Sequence, residues 1–197
     1  MDLNYKQIRL AYHSKKYPFF ETGRYNVNIF GIRNKLDVDM FNDFIGVVYK
    51  DSFGPQIKIY NGTTDPGLYW LKNDKGNING TFILGEGYHR QCWKLHKHHG
   101  KYECLGQAKS DSFWGYRDND KDSELDMAGP IYRDVVGLNL HTTSHLKGMA
   151  EKVGAYSAGC QVINKVDDFN EFMRICKISM DIYGPRVSYA LFNVKDF

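Results

Sequence analysis

Short apolar runs that alternate with polar residues recur along this chain from residue 27 onward, each closed by a turn. No other feature limits the fold so strongly. The spacing predicts strands over 27–32, 44–49, 56–64, 80–84, 92–95, 102–105, 113–116, 138–141, 159–163 and 187–194. Asp65-Pro66-Gly67 and His99-Gly100 supply turns between them. One segment breaks the rhythm. Phe169, Phe172, Met173, Cys176 and Met180 recur at helical spacing over 167–183. Asp167 and Asp168 place negative charge at the start of that helix, and Gly184-Pro185 ends it. The expected class is therefore α+β, mostly β: a β-sandwich or mixed sheet with one main helix near the C-terminus.

The chain has 197 residues, enough to bury a core without disulfides or a metal. No repeat or linker divides it. Residues 1–24 read as an N-terminal arm or helix and residues 25–197 as one domain. Aromatic residues make up 15% and there are 19 glycines, which suits strands and tight turns. The net charge of +3, with no dense basic stripe, gives no expectation of nucleic-acid binding. No segment has the length and apolarity of a membrane span. Residues 1–9 lack an apolar run before a small-residue cleavage site, so the protein is expected to be cytoplasmic as made.

Four cysteines are present: Cys92, Cys104, Cys160 and Cys176. Cys92 and Cys104 flank the 99–100 turn and could face one another across a hairpin, although a cytoplasmic origin argues against a disulfide. Cys176 belongs to the apolar face of the helix. Cys160 differs, because it follows the small residues Ser157, Ala158 and Gly159 at the edge of an expected strand. His141 ends another. A nucleophilic thiol needs a base nearby, backbone N–H groups for the oxyanion and room for substrate. Cys160, His141 and Gly159 are candidates for supplying these.

This pattern resembles the L,D-transpeptidase catalytic domain. Its signature is a histidine, a spacer of about fifteen residues, then Ser/Thr-His-Gly-Cys. Here the spacer is Thr142 to Tyr156, followed by Ser157-Ala158-Gly159-Cys160. The resemblance implies that domain's fold over residues 25–197 and a cysteine enzyme acting on peptidoglycan stem peptides. Carried over, Cys160 is the nucleophile and His141 the base. Gly159 and Cys160 N–H groups form the oxyanion hole, and Ser157 braces the loop or the histidine. Ala158 stands where the family has histidine, and Val162 where it often has arginine. Tyr88, Trp93, Trp114 and Tyr156 are candidates for substrate contact, with core packing as the plainer alternative.

A wall enzyme without a secretory signal fits a bacteriophage protein: an endolysin released at lysis, or a virion component that opens the wall on entry. Hydrolysis of stem peptides or cross-links is then the expected reaction. The alternatives are cross-linking or D-amino-acid exchange by a true L,D-transpeptidase, or a non-catalytic virion or wall-binding protein on the same fold. No metal or cofactor is expected. Residues 118–126 carry alternate carboxylates as calcium loops do, but Ser123 stands where such a loop needs glycine, so a solvated acidic loop is preferred. His96 and His98 share a strand face, without a clear third ligand for zinc.

Overall fold

The computed structural model describes residues 1–34, 37–73, 79–133, 135, 137–144 and 148–197. Helix α1 (Tyr5–Ser14) is followed by β1 (Asn28–Arg33), β2 (Asp43–Asp51), β3 (Gly54–Thr63), a single turn α2 (Leu68–Leu71) and β4 (Thr81–Leu84). Then come β5 (Gly87–His98), β6 (Tyr102–Gln107), β7 (Gly115–Asp118), β8 (Asn139–Thr142), β9 (Gln161–Ile163), α3 (Val166–Tyr183) and β10 (Val187–Asn193). The mostly-β class and the C-terminal helix match the expectation. The sheet, however, is neither open nor a sandwich. Its strands close into a barrel in the order β1-β10-β5-β6-β8-β9-β3-β2. Strands β1 and β10 run parallel, as do β8 and β9, and the other barrel neighbours are antiparallel. Strands β4 and β7 pair separately.

Closure explains a burial pattern that alternation alone does not. Every residue of β1 is buried. Ile29 joins one core with Val47, Tyr189 and Leu191. Phe30 and Ile32 point the other way, into a second core with Val48, Ala190 and Phe192, which Ile8, Ala11 and Tyr12 of α1 cover. The N-terminal segment is thus a helix built into the fold. Its start is fixed by a reciprocal cap between Asn4 and Gln7. The Tyr12 hydroxyl donates to the Ile29 carbonyl at 3.0 Å. On α3 the expected apolar residues are all buried in the first core, and each large side chain so buried contributes roughly 1.5–3 kcal/mol.

One open question is answered here and one expectation is corrected. Strand register sets His96, not Cys92, opposite Cys104, and all four thiols are free. Cys92 instead accepts the Ala108 N–H on its carbonyl at 2.7 Å. Trp93 is fully buried, with its ring 4.5 Å from that of Phe113, so it belongs to the core and touches no substrate.

Candidate functional site

Strand β8 carries His141, and Cys160 lies immediately before β9. The parallel register of the two strands pairs His141 with Val162, two residues beyond Cys160. This register brings His141 and Cys160 to the same part of the β8–β9 pair. Both line a cleft of about 400 Å³ together with Asn139, Tyr102, His98 and Tyr156.

The His141 ring is almost fully buried and held from one side. Its Nδ1 lies 2.8 Å from the Thr142 carbonyl, an acceptor that also takes the Tyr102 hydroxyl at 3.0 Å. That contact sets the tautomer: Nδ1 carries the hydrogen, and Nε2 is left with a lone pair. Nε2 has no hydrogen-bond partner among the described residues. Burial pushes the His141 pKa down to about 4, although the Thr142 and Tyr156 carbonyls pull the other way. The Cys160 thiol is pushed up to about 11 by burial, opposed by the backbone and side-chain amides of Asn139. At rest the thiol and the imidazole are therefore both neutral, and no hydrogen bond joins them among the described residues. Such a pair suits general-base transfer during attack better than a preformed thiolate.

A tight loop carries the cysteine. The Ser157 hydroxyl donates to the Cys160 carbonyl at 2.8 Å and accepts the Gly159 N–H at 3.1 Å. Ser157 thus braces the loop rather than the histidine. The Gly159 N–H is spent on that brace, so its expected place in an oxyanion hole is corrected. Gly159 has φ of +115°, and a Cβ there would lie 2.5 Å from the Phe82 carbonyl oxygen. Only glycine meets both conditions.

Several contributors lie outside the recognised spacing. Asp39 accepts the Gly154 N–H at 2.6 Å and the Leu68 N–H at 3.0 Å, tying α2 to the loop. Trp70 donates its indole N–H to the Ala155 carbonyl at 3.0 Å. His98 lies on His141 with ring centroids 4.2 Å apart and 15° between planes. Burial, with electrostatic opposition from His141, His99 and His96, pushes the His98 pKa down to about 3.

Of the four proposed substrate contacts, only Tyr156 lines this cleft; Tyr88 and Trp114 line a different depression. The carboxylates of 118–126 turn inward on their own loop: Asp118, Asp120 and Asp122 accept the N–H groups of Asp126, Asp122 and Glu124. Among the described residues no group of three or more His, Cys, Asp or Glu is placed to hold a metal ion. Among the described residues no helix is long and apolar enough to cross a membrane. Comparison with family models, with curated proteins and with solved structures finds no match for the chain.

Proposed function

We propose that this chain is a cysteine acyl-transfer enzyme that acts as a peptidase on peptidoglycan stem peptides, in the manner of an endolysin or a virion-associated lysin. One observation carries the reaction class: Cys160 and His141 line the same cleft, and His141 is held through Nδ1 with Nε2 unengaged. The substrate class rests on the resemblance of the motif to the L,D-transpeptidase domain. His141 Nε2 takes the thiol proton as the sulfur attacks a peptide carbonyl, forming the C–S bond. The tetrahedral oxyanion is met by the Cys160 N–H. Collapse breaks the C–N bond, and His141 returns the proton to the departing amine. Water, deprotonated by the same imidazole, then attacks the thioester, and the released sulfur regains its proton.

Incubation of purified protein with cross-linked and uncross-linked muropeptides, followed by mass spectrometry, tests this. Shortened stems or opened cross-links, absent with Cys160→Ala, are expected. New cross-links or exchanged terminal D-amino acids would assign the acceptor to an amine instead of water. Unchanged muropeptides would overturn the enzymatic reading.

A further inference from the structure

A second cleft, of about 460 Å³, concentrates positive charge that the chain as a whole lacks. Arg90, Lys109, Arg133 and Arg186 line it against one carboxylate, Asp111. None of these four cations forms an ion pair among the described residues. Four like charges held together with a single carboxylate among them repel, and an anionic ligand relieves that.

The backbone is shaped around this cleft. Strand β5 bulges where its register with β10 shifts between Val187 and Tyr189. Gln91 there has φ of +47°, and its N–H is taken by the Ser188 hydroxyl at 2.9 Å. Neighbouring residues of a regular strand face opposite sides, yet Arg90 and Gln91 both line the cleft. Trp114 is seated flat because Gly85 and Gly87 make room: a Cβ at Gly85 would fall among the indole atoms. The cleft thus pairs guanidinium forks with a fixed aromatic face.

The cleft also has a neighbour in common with the Cys160 cleft. A third depression, of about 320 Å³, shares Lys109 with it and shares Gly137 and Asn139 with the Cys160 cleft, adding Lys94 between.

We propose that the cationic cleft is a second binding site, for the carboxylates of an acidic peptide chain that runs along this track to present a carbonyl to Cys160. Anion binding stands on the cleft alone, and its link to turnover rests on the proposed function. The test uses the full-length protein and hexaglutamate, read by tryptophan fluorescence and calorimetry. Affinity is expected to fall about tenfold in Arg90→Gln/Arg133→Gln/Arg186→Gln. It should be unchanged when the exposed Lys6, Lys16 and Arg24 are replaced by Gln, and in Cys160→Ala. Trp114→Phe should remove the fluorescence change, and urea midpoints would verify that each variant folds. No binding, equal loss in the two triple variants, or equal affinity for polyphosphate of the same charge would each overturn the acidic-peptide site. Hexaglutamate binding with unchanged muropeptides would remove the link to turnover and leave the anion site standing. Turnover with arginine-independent binding would do the reverse.

Discussion

The imidazoles of His98 and His141 lie nearly parallel, with 4.2 Å between centroids. His98 comes from the end of β5 and His141 from β8, with β6 between them in the barrel order. Each ring shields the other from water, and a proton on one opposes a proton on the other.

Removal of His98 should therefore act through His141. In His98→Ala, water reaches His141 and its pKa rises from about 4 toward the ordinary value near 6.5. The acidic limb of kcat/KM should move up with it, and kcat should fall about tenfold as the ring loses its support. His98→Phe keeps the shield and should leave the limb low. Imidazole proton NMR titration of both variants checks this. An unchanged His141 titration in His98→Ala would show that the stack has no influence.

The resting thiol should be sluggish. With its pKa pushed up to about 11, Cys160 at pH 8 should react with iodoacetamide about a hundredfold more slowly than thiols of the urea-unfolded chain. The rate should climb with pH without levelling near neutrality, and His141→Ala should leave it within about twofold. A plateau below pH 7 would reveal a preformed thiolate–imidazolium pair and reject the neutral one.

Gly159→Ala should be costly in both stability and activity. Its positive φ and the nearby Phe82 carbonyl oxygen together predict a loss of roughly 2 kcal/mol or more, read from urea unfolding. A midpoint within error of wild type would mean that the loop relaxes freely.

Stability should rise as pH climbs from about 4 to 6.5. His89 and His141 are both pushed down to about 4 by burial, so over this window the unfolded chain binds protons that the folded chain refuses. His98 acts in the same direction, more weakly for its exposure. Asp43 opposes them: burial, with Asp65 nearby, raises it to about 7, and the folded state keeps a proton that the unfolded state loses. Two histidine contributions against one carboxylate leave a net slope in the rising direction. Asp43→Asn should steepen it. Urea midpoints at pH 4.5, 5.5 and 6.5 provide the check, and a flat or falling profile would contradict the assignment.

The elements themselves were largely legible, because a period of two or of 3.6 is written locally. The 167–183 helix lies within one residue of α3, and the strand carrying His141 within one residue of β8. Closure was not legible. The pairing of β1 with β10 joins residues about 160 apart, and no local pattern encodes which edges meet. The site divides in the same way. Cys160, His141, Ser157 and Gly159 sit in a short recognisable spacing. His98 read as a strand residue sharing a face with His96, and Asp39 carried no signal. Both matter only through strands brought together by the barrel. Of the two readings open for Trp93, the core one holds, because a large aromatic ring fits a core as readily as a groove.

The parallel pairing of β1 with β10 also governs when this protein can come into being. The barrel's seam joins its first strand to its last, so the ring cannot shut until β10 has left the ribosome. Until then β1 has an unsatisfied edge, and a chain cut short anywhere before residue 187 should be a target for chaperones and proteases.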